Sequence, residues 1–199
     1  VLDSPAVRIA VSGSHCSGKS TLIEDFVAVH REYVHEPEPC EWLEDLYGEP
    51  LPAEPTAADF RRQLEISVER LQQYASNTEV IFERSAVDFV AYLLALNDLG
   101  RSARDCELIE SSADLAAAGM AHIDLLVVLP LDDRDGIVVP ESEDPELREA
   151  MNQRLLELVT EDQHALFGSG RTRILEVRGT RSERLRTLEK ALRARAGAA

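Results

Sequence analysis

Residues 12–20 read Ser-Gly-Ser-His-Cys-Ser-Gly-Lys-Ser and follow directly on the apolar run Arg8-Ile9-Ala10-Val11. Within them Gly13, Gly18, Lys19 and Ser20 satisfy G-x-x-x-x-G-K-[ST], which background composition would produce in roughly one chain in a hundred of this length. The chemistry behind the pattern is specific. Two glycines allow a tight backbone path, consecutive N–H groups turn inward, and a helix starting near Lys19 adds its positive end, so the segment is suited to hold phosphate. Gly13, Ser14, His15, Cys16, Ser17, Gly18, Lys19, Ser20 and Thr21 are the candidate nucleotide-binding loop. Lys19 is expected on the β and γ phosphates of ATP, and the Ser20 hydroxyl on Mg²⁺. Cys16 reads as a variable loop position.

The motif demands a strand before it and a helix after it, and both are legible. Residues 8–11 read as a short buried strand, and 19–30 as a helix with Leu22, Ile23, Phe26 and Val27 on its inner face. Further strands are expected at 33–35, 79–82, 123–129 and 173–177. Helices are expected from an N-cap at Asp59 through Ala75, at 85–96 and 104–118, from Asp144-Pro145 to a stop at Gly168, and at 182–194. Residues 48–57, with three prolines and a glycine, read as an irregular loop, and 132–144 as an acidic one. Strands alternate with helical crossovers. This predicts an α/β fold, a three-layer sandwich in which a parallel sheet of about five strands carries helices on both faces, with residues 1–199 forming one domain.

Composition narrows the partners. A formal charge of −16 argues against a nucleic acid polymer, because neutralising its backbone requires clustered Lys and Arg. The apolar runs at 89–96 and 125–131 are far shorter than the roughly 20 residues that span a bilayer, and no leader is visible, so no membrane partner is expected. Three cysteines without framework spacing suggest reduced thiols in a cytoplasmic setting. The helix faces at 59–75 and 85–98 are candidate surfaces for a homodimer.

A second constellation lies at Glu83-Arg84, at the expected carboxyl end of the strand Glu79-Val80-Ile81-Phe82, where ligands collect in open α/β sheets. Glu83 is the candidate for the Mg²⁺ shell and Arg84 for a phosphate or the acceptor's oxygen, with Asp88 one turn on to orient either. The phosphate loop together with Glu83-Arg84-Ser85 and Ala91-Tyr92 resembles the deoxynucleoside kinase and thymidylate kinase group. In the same group, a segment similar to "EPEPCEW", residues 36–42, carries a glutamate that serves as base toward the substrate hydroxyl. Either Glu36 or Glu38 is the equivalent.

The second half departs from that group. In place of an arginine-rich lid stands "LPLDDRDGIVVPESEDPELR", and the lid region, about 132–150, is more similar to P-loop ATPase/kinase domains of the AAA type related to the nicotinamide ribonucleoside kinase domain. That resemblance implies Arg148, with Arg134 second, as the lid residue that stabilises charge on the moving phosphoryl group. Gly179 and Thr180 are candidates to border the adenine, and Trp42 to pack over the acceptor. The expectation is a P-loop fold and a Mg²⁺-dependent phosphotransferase that takes the γ-phosphoryl of ATP to a small-molecule acceptor, either a nucleoside, a nucleotide or a related metabolite. The alternative is a regulatory NTPase acting on a protein partner.

Overall fold

The computed structural model describes residues 6–102, 105–132, 136–141, 143–168 and 170–196. Five strands, β1 (Arg8–Ser12), β2 (Val34–Glu36), β3 (Val80–Glu83), β4 (Leu125–Val128) and β5 (Arg173–Glu176), form one parallel sheet in the order β2-β3-β1-β4-β5. The helices are α1 (Lys19–Val29), α2 (Pro39–Trp42), which runs on as a π-helical turn over Leu43–Tyr47, α3 (Ala57–Gln73), α4 (Ala86–Asp98), α5 (Cys106–Met120), α6 (Pro145–Glu161) and α7 (Arg181–Ala196).

Side-chain alternation in the central strand separates the two cores. Ile9 and Val11 of β1 face one way and pack with Leu22, Ile23 and Phe26 of α1 and Leu188 of α7. Ala10 faces the other way, into a larger cluster built from α3, α4, α5 and α6, where the Phe60 and Tyr92 rings stack with centroids 4.3 Å apart. Burying each Leu, Ile or Phe side chain of this kind contributes about 1.5–3 kcal/mol. The apolar stripes of α3 and α4, expected as candidate pairing faces, are largely buried inside this layer. Among the described residues no helix is long and apolar enough to cross a membrane.

Several element ends differ from the sequence reading. Helix α3 is capped by Thr56, and the carboxylate of Asp59, at its third position, accepts from the Thr56 N–H at 2.8 Å, a reciprocal box that moves the start upstream. Helix α6 stops at Glu161, short of Gly168, because Asp162 turns left-handed (φ +46°) and its N–H bonds to Leu158 O. An Asp tolerates that conformation better than most side chains, and the chain then folds back to bury Leu166. Strands β1 and β3 each run one residue further than expected, to Ser12 and Glu83. Helix α5 is capped by Asp105, whose carboxylate accepts from Leu108 N–H at 2.9 Å; Arg104, its expected start, lies outside the described residues.

Candidate active site

The carboxyl ends of β3, β1 and β4 lie side by side at the sheet's centre, and the phosphate loop leaves from the middle one. Its beginning is anchored by Asp88 of α4, a fully buried carboxylate that accepts from the Gly13 N–H at 3.0 Å, from the Ser85 N–H at 2.9 Å, and from the hydroxyls of Ser12 and Ser85. Any side chain at Gly13 would place its Cβ 2.8 Å from the Leu129 carbonyl oxygen, so the tight approach of loop to β4 requires glycine. Arg84, immediately after β3, also sits in the left-handed region (φ +69°), a cost for a non-glycine residue that turns its side chain back under the loop.

Lys19 opens α1 and is nearly buried. Its ammonium donates to Ser14 O at 3.2 Å and lies 3.5 Å from Glu38 Oε1. Burial, then the neighbouring Arg84 charge, pull its pKa down, and Glu38, Asp88 and Glu83 oppose them. The Ser20 hydroxyl donates to Glu83 Oε1 at 2.7 Å, while His35 Nε2 stands 3.4 Å from Glu83 Oε2. A hydroxyl beside a carboxylate at the head of a phosphate loop is the sparse oxygen donor set that Mg²⁺ uses when phosphate and water complete its shell, so Ser20 and Glu83 fit that ion.

The candidate glutamates Glu36 and Glu38 are separated by their surroundings. Glu36, the last residue of β2, is clamped by Arg70 of α3 (Nε–Oε1 2.6 Å, Nη2–Oε2 3.1 Å) and by the Tyr74 hydroxyl. Glu38, the N-cap of α2, instead faces the loop and accepts from Arg84 Nε at 2.9 Å. Burial raises its pKa, but the charges of Arg84 and Lys19 prevail and hold it at about 2. Arg84 also donates to Gly13 O at 3.1 Å, and the Arg84 Nη2 and Trp42 Nε1 atoms are buried with no hydrogen-bond partner among the described residues. Both side chains line a small cavity between Glu36, Pro39, Ser67 and Arg70, with the Arg70 guanidinium 4.0 Å from the centre of the Trp42 ring.

On the opposite flank, Arg148 of α6 donates to the carbonyls of His15 (2.9 Å) and Cys16 (3.4 Å), while Ser14 Oγ donates to Arg148 O at 2.8 Å. The expected lid arginine thus touches the loop itself; Arg134 lies outside the described residues. His15 is packed against Tyr92 and Glu143, and burial followed by the charges of Arg84 and Lys19 lowers its pKa to about 3, so its ring is neutral. Burial and Glu143 push the Cys16 thiol up, away from a reactive thiolate. Beyond α1, a cleft is walled by Gly18, Thr21, Leu22, Ile137, Gly179, Arg181 and Arg184. Gly179 is therefore at a candidate base cleft, whereas Thr180 is occupied in capping α7 through Glu183.

Sequence reasoning missed Arg70, Arg184, His35 and Ile137. Arg70 sits between apolar positions of an amphipathic helix, and Arg184 among the many arginines of α7; neither carries a local motif.

The match to the family model described as an AAA domain covers residues 8–184. No curated protein matches the chain by sequence. Among solved structures it is similar to the NadR protein in complex with NAD and AMP-PNP (TM-score 0.61, 19% identity, covering 93% of this chain and 49% of that one), so it spans about half the length of that protein. It is also similar to thymidylate kinase from Candida albicans (0.60, 19%, 96% and 93%) and to deoxyadenosine kinase from M. mycoides with bound dATP (0.63, 15%, 94% and 99%). These likenesses show the fold: a five-stranded parallel sheet carrying helices on both faces. Since the family match runs from the first residue of β1 into α7, the chain belongs to the AAA domain family.

Proposed function

We propose that the chain is a P-loop kinase that transfers the γ-phosphoryl of ATP to a nucleoside, nucleotide or related metabolite. The observation that carries this reading is the placement of Glu38, an acceptor-side carboxylate held within 3.5 Å of the loop lysine and 2.9 Å of Arg84. A nucleotide-holding module needs no such group; a transferase needs one to orient the attacking oxygen. Nucleotide phosphates entering the loop take over Lys19 from Glu38, which frees one carboxylate oxygen for the acceptor's hydroxyl. With its pKa at about 2, Glu38 is a weak base, which suits a loose transition state in which the nucleophile is positioned more than deprotonated.

Arg84, with its unpartnered Nη2, supplies a donor for the transferring group or the acceptor. Arg148 adds positive charge over the loop. Ser20 and Glu83 would hold Mg²⁺, which when bound offsets charge on the phosphates. The neighbours' complexes with AMP-PNP and dATP support a nucleotide in the loop.

The test is a panel of nucleosides, nucleoside monophosphates and vitamin-like alcohols incubated with ATP and Mg²⁺, read by mass spectrometry. Transfer to at least one class of hydroxyl or phosphate acceptor is expected. ATP consumption that no acceptor accelerates would sink the proposal.

A further inference from the structure

Gly18 packs against a residue far away in sequence. Its backbone is left-handed (φ +89°), and a Cβ there would stand 2.7 Å from Nη1 of Arg184. That guanidinium, in the first turn of α7 and only 4% exposed, donates from Nη1 to the Ser17 carbonyl at 2.6 Å and from Nε to the Gly179 carbonyl at 2.9 Å. One rigid, planar fork therefore ties the phosphate loop to the turn that leads into α7. A lysine, a point donor on a flexible stem, would not hold both carbonyls in one fixed plane.

Peptide planarity gives the bridge a consequence for ligands. In a trans peptide the carbonyl and the following N–H point in opposite directions, so fixing the Ser17 oxygen on the α7 side turns the Gly18 N–H away from α7. Amides of such a loop are what cradle phosphate. Arg184 also stands in the wall of the candidate base cleft, shared with Gly18, Leu22, Ile137 and Gly179.

We infer that Arg184 is a positioning residue for the nucleotide: it sets the Ser17–Gly18 peptide for the β-phosphate and links that peptide to the base cleft. The inference rests on the reading of the loop as a nucleotide site, but not on phosphoryl transfer. Ligands with and without a β-phosphate separate it from a brace that only holds α7 to the sheet. A role confined to the base wall affects AMP and ADP alike, whereas peptide positioning weakens ADP selectively.

The experiment is calorimetric titration of ADP with Mg²⁺, and competition titration of AMP, on the wild type, Arg184→Met and Arg184→Lys, with melting of the ligand-free proteins alongside. Methionine keeps the apolar stem and removes both carbonyl bonds; lysine keeps the charge and decides the matter if the methionine variant does not fold. The expected result is an ADP dissociation constant raised about tenfold or more, with AMP changed less than threefold. ADP binding within twofold of wild type overturns the inference whatever the melting temperature does, and so do equal losses for ADP and AMP. A wild-type protein that binds no ADP overturns the nucleotide reading and this inference with it.

Discussion

Among the described residues, Arg70 and Arg84 on one flank of the site and Arg148 and Arg184 on the other are held differently. On the side of β2, β3 and α3, Arg70 and Arg84 are answered by carboxylates: Glu36 for the first, Glu38 and Asp88 for the second. On the side of α6 and α7, Arg148 and Arg184 donate to backbone carbonyls of residues 15, 16, 17 and 179. A carboxylate satisfies a guanidinium and cancels its charge; a carbonyl satisfies it and leaves the charge in place. The first flank is thus close to charge balance, while Arg148 adds positive charge beside the loop. Lys19 stands on the seam, shared between the Ser14 carbonyl and the Glu38 carboxylate.

Removing the seam residue gives the largest effect. Lys19→Ala is expected to lower kcat/KM for transfer by about 10⁴-fold, since it takes away the cation that both flanks converge on. Circular dichroism is expected to be unchanged. A loss below tenfold would put the phosphates elsewhere and dissolve the comparison.

Within the balanced flank the two glutamates are distinguishable. Glu38→Gln is expected to reduce kcat by about 10³-fold, because on the proposed reading the oxygen that orients the acceptor loses its charge. Glu36→Gln is expected to cost less than tenfold in kcat but to destabilise the fold by about 1–3 kcal/mol, since Arg70 and Tyr74 lose an ionised acceptor. Measured by steady-state kinetics and thermal melts, the reverse pattern would exchange their roles.

The unequal legibility of the two flanks has a physical basis. The phosphate loop, its strand and its helix depend on spacing within some twenty residues, and the pair Glu83-Arg84 on one strand end, so local pattern suffices for both. Glu36 and Glu38 are alternatives in sequence because both precede a proline. Pairing of β2 with β3 separates them: Glu36 stays in the ladder opposite Phe82, and Glu38, past Pro37, swings to the loop. Arg184 is less legible still, because its partner Ser17 is 167 residues away and a carbonyl carries no side-chain signature. Arg148 has no local motif, and only the resemblance implies it.

On the carbonyl-held flank, Arg148→Met is expected to lower kcat by about 10²-fold, the scale for losing one donor or charge at a developing anion. If the same variant left kcat intact and only loosened α6, its carbonyl bonds would be structural and the charge asymmetry would have no role in transfer.

The smallest effect reads the field between the flanks directly. His15 lies near Arg84, Lys19 and Arg148 on one side and Glu38, Glu143 and Tyr92 on the other, and burial with the three cations lowers its pKa from 6.5 to about 3. The unfolded chain therefore takes up a proton below about pH 6.5 that the folded chain refuses, so this stabilisation is present above pH 6.5 and is lost as pH falls toward 3. Glu38, lowered from 4.5 to about 2, contributes stability that is lost only below pH 4.5, so of these two groups His15 alone acts between pH 6.5 and 4.5. His15→Gln is expected to remove part of the fall in melting temperature between pH 7 and 5. With the ring 31% exposed, screening limits the difference to about 1 kcal/mol, or about 2–4 °C. An unchanged pH slope would mean that the charges around His15 cancel at the ring, and that any cationic surplus lies on the far side of the loop, beside Arg148.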